Sequence, residues 1–304
     1  MSVLRRTLVL SGVLVLAAAG CGSSSLSGGG STSAPATSAP ASTPASSGPD
    51  LSGALPAKIK AAGKISVGID TTYPPNEFLQ GGTTAVGMDV DIFNAVAAKF
   101  GVTAEYHSAA FPTIITGVQG GKYDVAISSF TVNAQRKQVV NMVSYFNAGT
   151  QWASAKGNPK GVDPDNACGK TIAVQKGTVQ LEEDLPVRQK KCTDAGKPKM
   201  TIDQYQKQSD ATNAVVTGKD DAMLADSPVC AYAVKQTNGQ LALAGQIYDS
   251  APYGYVLPKD QTDFGQAIAT AVQQLISEGT YKKILDKWGV SAGSITNPAV
   301  NPSA

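Results

Sequence analysis

The chain has 304 residues, of which 42% are hydrophobic and only 16% charged, against roughly 25% charged in an average soluble protein. Its 25 basic and 23 acidic side chains leave a formal charge of +2, too little for a nucleic-acid binder, which needs a basic surplus or patch. A single histidine argues against a zinc enzyme or a histidine-based relay, and a mean hydropathy of -0.07 argues against a polytopic membrane protein.

At the start of the chain, Arg5 and Arg6 precede an apolar run from Leu8 to Ala19. The run is too short to span a bilayer and has the length of a secretory signal's apolar region. It ends in Ala18-Ala19-Gly20-Cys21, small residues before a cysteine that resemble the lipobox of bacterial lipoproteins, with Ala18 where Leu is usual. In that family the signal is cut before the cysteine, which then carries lipid. Residues 22–49 are Gly, Ser, Thr, Ala and Pro apart from Leu26, and carry no charge. Such a segment buries too little surface to offset its chain entropy. As a flexible coil it spans roughly 30 Å, a length suited to a tether. Residues 1–20 therefore read as a lipoprotein signal peptide and 21–57 as a lipidated Cys21 with its tether. Removing residues 1–20 deletes Arg5 and Arg6 and no acid, which leaves 23 basic and 23 acidic side chains and a net charge of zero.

From Lys58 the patterning becomes that of an α/β protein. Strands are expected at Lys64–Ile69, Val102–His107 and Asp124–Ser129, with helices at Asp89–Phe100 and Phe111–Val118. Gly101 sits where a left-handed residue closes the first helix. This β-α-β-α-β order implies a mostly parallel sheet. The pattern restarts after Gln151-Trp152. Strands are expected at Thr171–Val174, Met200–Ile202, Ala222–Ala225 and, briefly, Leu241–Leu243. The helices expected between and after them are Val179–Arg188 broken by Pro186, Ala211–Thr217, one opening at Pro228, Thr262–Glu278 and Tyr281–Trp288. The small, polar segment 291–304 reads as a disordered tail. Two such halves make a two-lobed α/β fold with a cleft between the lobes, and ligands in these sheets sit beyond the carboxyl ends of strands. Lobe one is expected at 58–153 and 254–290 and lobe two at 154–253, with hinge crossings near Ser154–Lys156 and Ser250–Gly254.

The segments after those strands carry recognisable motifs. Asp70-Thr71-Thr72-Tyr73-Pro74-Pro75-Asn76-Glu77-Phe78 follows the first strand, and Gly87-Met88-Asp89-Val90-Asp91 opens the first helix. Ser128-Ser129-Phe130-Thr131, running on to Arg136, follows the third strand. Ala225-Asp226-Ser227-Pro228 follows a strand of the second lobe, and Gly279-Thr280-Tyr281 with Lys287-Trp288-Gly289 lies near the end. Over about residues 58–290 the chain resembles the polar amino-acid family of bacterial extracellular solute-binding proteins, the receptors of ABC importers. The lipobox and tether agree with Gram-positive or actinobacterial members.

The resemblance implies a periplasmic-binding-protein-like fold that captures a free amino acid between closing lobes and delivers it to permease subunits. It implies no cofactor, no metal and no chemistry. Arg136 matches the arginine that clamps the ligand carboxylate, a task suited to a planar guanidinium. Thr131 and Ser129 match further ligand contacts, and Asp226 matches the acid that takes the α-ammonium, although it also precedes a helix as a cap would. Tyr73 and Phe111 match aromatics that sandwich the ligand side chain. Gln175, Thr178 and Val179 match the loop of the second lobe, where Gly177 permits a tight turn. Asp70 matches an acid that reads the ligand side chain. With Ser128, Ser129 and Tyr73 it places the chain nearest the lysine/arginine/ornithine group, and glutamine comes next. Asn76, in place of a common aromatic, is expected to make the pocket more polar, and Glu77 to face either pocket or solvent.

Of the remaining cysteines, Cys168 and Cys192 bracket the first strand and helix of lobe two and are expected to pair in an oxidising exterior, with Cys230 a buried free thiol. Sequence alone leaves pairings with Cys230 open. The protein is expected to be a monomer on the outer face of the cell membrane, with no nucleic-acid partner. Alternatives are a dehydratase of the prephenate/arogenate type, which would need an acid/base group aimed at substrate, and an amino-acid sensor module.

Overall fold

The computed structural model describes residues 50–303. The signal peptide, Cys21 and most of the tether lie outside the described residues.

The body opens with α1 (Ala57–Ala62) and β1 (Lys64–Ile69), followed by the short β2 (Thr72–Tyr73), β3 (Glu77–Gln80) and β4 (Thr84–Val86). Next come α2 (Met88–Lys99), β5 (Thr103–Ser108), α3 (Phe111–Gln119), β6 (Val125–Ala126), α4 (Ala134–Val139) and β7 (Asn141–Ala155). Then follow β8 (Thr171–Gln175), α5 (Leu185–Asp194), β9 (Thr201–Tyr205), α6 (Gln208–Val216), β10 (Ala222–Asp226) and α7 (Ser227–Gln236). The chain closes with β11 (Leu241–Leu257), α8 (Thr262–Ser277) and α9 (Thr280–Trp288). The helical period at Ile92, Phe93 and Val96 buries one face of α2, and Gly101 follows with φ +71°. Pro186 does not break a helix. It stands in the first turn of α5, where its missing N–H costs nothing, after one π turn at Gln180–Asp184.

Eight strands form one sheet in the order β5-β1-β6-β11-β7-β10-β8-β9. β5, β1 and β6 are parallel to one another, as are β10, β8 and β9. The long β7 and β11 pair antiparallel between the two groups. In the first group, α2, α8 and α9 cover one face of the sheet around Phe93, Tyr145 and Ile268, and α3 covers the other around Ile114 and Phe130. In the second, α6 and α7 cover one face and α5 with residues 162–168 the other.

β7 and β11 correct two expectations. The sequence pattern marks no strand over 141–155 and only a short one at Leu241–Leu243, yet β7 runs for 15 residues and β11 for 17. β7 is buried almost throughout, so it carries no polar/apolar alternation to betray a strand. The pairing also moves the first crossing between lobes. Residues 150–154 of β7 pair with β10, so Ser154 lies inside the second group and not at its edge. The chain crosses at Ala148–Thr150 and returns at Tyr248–Ala251, where the β7–β11 register slips. Gly149 stands at that crossing because a Cβ there would lie 2.6 Å from the Tyr248 carbonyl oxygen and 2.7 Å from Ser250 Oγ.

The tail also differs from expectation: residues 291–303 pack on the body. Residues 141–147 of β7 have β11 on one side only, and the open edge of the strand is taken by the tail. Ser144 N donates to Ala299 O at 2.9 Å, Asn301 N donates to Met142 O at 2.7 Å, and Val300 bridges Val143. Backbone hydrogen bonds, which composition does not reveal, order the segment. Cys168 and Cys192, 24 residues apart, form a disulfide, and Cys230 is free and buried. Closing a loop of that length is worth about 3.5 kcal/mol in the chain-entropy account.

Candidate ligand-binding site

The carboxyl ends of β1, β6, β8 and β10 converge on one small, partly enclosed cleft. From the first lobe it is lined by Asp70, Tyr73, Phe111, Ser128, Ser129, Thr131 and Arg136, and from the second by Gln175, Thr178, Val179, Gln180 and Asp226. All eleven residues singled out in the sequence therefore face one space. The twelfth is Gln180, which no motif marks and which directly follows Val179 of the loop after β8. Several hydrogen bonds join the lobes around it: Gln175 Nε2 to Asp70 Oδ2 at 2.7 Å, Asn133 Nδ2 to Glu183 Oε1 at 2.6 Å, and Asp226 N to Tyr73 OH at 3.1 Å.

Arg136 lies in the first turn of α4, whose N-cap Asn133 accepts from Arg136 N at 2.8 Å. Its guanidinium donates to Thr131 O at 2.8 Å and, across the cleft, to Gly177 O at 3.1 Å. It also stands over the Phe111 and Phe130 rings at 5.6 and 5.5 Å, and those rings stack on each other at 4.7 Å. Among the described residues it has no carboxylate within ion-pair distance. Burial pulls its pKa down to about 10, so the guanidinium stays charged at neutral pH, and the charges of Asp226, Glu183 and Glu182 oppose that fall.

Asp226, at the end of β10, is the opposite pole. It is buried and accepts from Gln180 Nε2 at 2.7 Å and from Tyr253 OH at 2.8 Å. Burial pushes its carboxyl above the usual range, against hydrogen bonds from Tyr253, Tyr73 and Gln180 and the charge of Arg136. A guanidinium without an ion-pair partner and a buried carboxylate therefore face one small cavity, the complement of a zwitterion.

Asp70 is more heavily engaged than its expected role requires. Oδ1 accepts from Thr72 N at 2.9 Å and Thr72 Oγ1 at 2.7 Å. Oδ2 accepts from Phe111 N at 3.2 Å and from Gln175 at 2.7 Å. A carboxylate has about four lone-pair sites, and all are taken. Asp70 can read a cationic side chain only if that side chain displaces Gln175. Thr178 turns its hydroxyl to its own loop, donating to Gln175 O at 2.9 Å. Gly177 has φ +77°, and a Cβ there would press to 3.2 Å on Pro112 across the cleft. Asn76 and Glu77 do not line the cavity or meet solvent. Both are fully buried behind Ser128 and Ser129. The acidic and amide side chains after a double proline gave no sign of that burial.

The family model for bacterial extracellular solute-binding proteins, family 3, matches residues 65–291. Over 252 residues the chain is 33% identical to the arginine-binding protein ArgT of Corynebacterium glutamicum, covering 83% of each chain. It is 27% identical over 233 residues to the L-cystine-binding protein TcyJ of Escherichia coli, covering 76% of this chain and 84% of that one. A solved structure described as an ancestral arginine-binding protein bound to arginine superposes with a TM-score of 0.68 at 31% identity, covering 74% of this chain and 98% of that one. The ancestral amino acid-binding protein AncCDT-1, described as a precursor of cyclohexadienyl dehydratase, gives 0.66 at 27% identity, covering 76% and 97%. The fold is that of these solved structures, and with the family match over residues 65–291 the chain belongs to the bacterial extracellular solute-binding proteins, family 3.

Proposed function

We propose that this protein is the extracytoplasmic receptor of an ABC importer, that it captures one free amino acid by closure of its lobes, and that the preferred ligand is basic, arginine before lysine or ornithine. The observation that carries the reading is the pairing of Arg136 and Asp226 across one partly enclosed cleft. Arg136 takes the ligand carboxylate by a bidentate fork and Asp226 its α-ammonium. Tyr73 and Phe111 flank the side chain, with Ser128, Ser129, Thr131, Gln175, Thr178 and Val179 completing the wall. Arginine-binding relatives support the basic preference. Glutamine is the second reading, favoured by the Gln175 amide, which already stands on Asp70 where a ligand amide would donate. The ligand stabilises the closed arrangement, which docks on permease subunits, and the protein acts as a monomeric binder without catalysis. Isothermal calorimetry with arginine, lysine, ornithine, glutamine and cystine should give the tightest binding for arginine. Tighter binding of glutamine would overturn the basic preference, and no heat from any amino acid would overturn the reading itself.

The same reading places the receptor on the outer face of the cell membrane through lipid on Cys21. Cys21→Ser should release it into the medium. Fractionation that finds the variant still in the membrane would refute the anchor.

A further inference from the structure

Behind the cavity wall lies a buried polar cluster that ligand capture as described does not use. Ser129, on that wall, holds φ at +49°, a left-handed conformation that is unfavourable for a serine and persists only where surroundings impose it. Three side chains, all fully buried, impose it: Asn76, Glu77 and Asp89. Ser129 N donates to Asp89 Oδ2 at 2.9 Å, and Asn76 Nδ2 donates to Ser129 Oγ at 2.9 Å. Ser129 Oγ also lies 3.2 Å from both Glu77 Oε2 and Asp89 Oδ2. Ser128, the neighbouring wall residue, places its hydroxyl 3.2 Å from Glu77 Oε1.

We propose that Glu77 and Asp89 are positioning residues of the binding site, and that a single carboxylic-acid proton held between them locks Ser129, and with it the Ser128–Thr131 wall, in the geometry that receives the ligand. The inference rests on the amino-acid reading of the cavity. The count of donors carries it. Asp89 Oδ2 is served by Ser129 N and by Tyr145 OH at 2.6 Å, whereas Asp89 Oδ1 is buried with no donor among the described residues. The one Ser129 hydroxyl hydrogen cannot serve two carboxylates at once. The groups facing the pair are Asp70 after β1, Tyr106 on β5, Tyr145 on β7, Tyr255 on β11 and Tyr281 on α9. None is a cation, and Lys287 is engaged with Asp91 further along α2. Two adjacent buried carboxylates without a cation cannot both ionise. A proton shared between Glu77 and Asp89 removes one charge and adds a donor to the cluster.

The electrostatics agree. Burial, then the charge of Asp89, push Glu77 well above the carboxylate range. Burial raises Asp89 only to about 6, because hydrogen bonds from Glu77, Tyr145 and Ser129 oppose it. The pair therefore holds one proton in the folded protein, and because that proton's folded pKa lies above the unfolded value, its contribution is complete below the ordinary carboxylate range and is lost as pH rises through the raised value.

The test uses ligand-free protein labelled with ¹³C in glutamate and aspartate carboxyls, together with arginine affinity. At pH 8 one carboxyl carbon should keep the NMR shift of an un-ionised acid and vanish in Glu77→Gln. That variant, whose neutral amide still donates, should bind within about threefold of wild type, whereas Glu77→Ala should lose about tenfold or more. If Glu77→Ala does not fold, Glu77→Met, which keeps the bulk and removes every donor, takes its place with the same loss expected. No un-ionised carboxyl at pH 8, or undiminished affinity in the folded Ala or Met variant, overturns the proposal. An acid signal in a protein that binds no amino acid would instead refute the amino-acid reading and leave the shared proton standing.

Discussion

Arg136→Ala should weaken amino-acid binding by about two to three orders of magnitude while the ligand-free protein keeps its melting temperature within a few degrees. Truncating one partner of a buried, hydrogen-bonded charge pair costs about 2–5 kcal/mol, and each 1.4 kcal/mol is roughly tenfold. Here the bound ligand would bury its carboxylate against a wall that has lost its cation. The fold should tolerate the change because the guanidinium gives up only two carbonyl hydrogen bonds, to Thr131 and Gly177, both beside a cavity that water can enter. The Phe111–Phe130 stack remains. Arg136→Lys separates charge from fork: it keeps the former and loses the latter, and should fall between the two. Calorimetry on the three proteins decides. Affinity of Arg136→Ala close to wild type, in a protein that still melts cooperatively, would remove the carboxylate clamp from the scheme.

The cavity was legible in sequence to a greater extent than the scaffold that builds it. Asp70, Ser128, Gln175 and Asp226 each stand within two residues of the end of a parallel strand, and the topology of such sheets sends those ends to one crevice. The strands that join the lobes were not legible. β7 is buried on both faces, and β11 is interrupted by Gly245, Pro252 and Gly254 and by shifts of register, so neither shows the alternation of a half-exposed strand. The tail was misread for a related reason, since Ala299 and Asn301 are ordered by the free edge of β7 and not by their own side-chain hydrophobicity. Glu77 and Asp89 were out of reach because a carboxylate's burial depends on which serines and tyrosines the fold brings to it. The charge balance of 23 against 23 in the described body and tether bears on the site as well. With no net charge there is little long-range attraction for one class of amino acid over another, so selection rests on the few charges at the cavity.

Asp226→Asn should lower affinity by about a hundredfold or more and, unlike most substitutions of a buried acid, should not lower the melting temperature of the ligand-free protein. Burial holds the Asp226 carboxyl above its ordinary range, which means that the ionised form costs the folded, empty protein stability at neutral pH. A neutral amide of the same shape relieves that cost, keeps one oxygen for Gln180 Nε2 and turns its NH₂ to the Tyr253 hydroxyl, which can accept in place of donating. Binding responds in the opposite sense. A bound α-ammonium favours the ionised carboxylate and draws its pKa back down, so wild-type affinity should fall as pH drops through the raised value of the empty site, with protons released on binding in that range. Asp226→Asn has no proton to release, and its NH₂ would confront the ligand's ammonium donor to donor. Its affinity should be weak throughout and lack the acid limb. Calorimetry in buffers of different ionisation enthalpy measures the proton release directly. An acid limb and proton release that persist in Asp226→Asn would assign the titration to another group, and near-wild-type affinity in that variant would leave the α-ammonium without its partner.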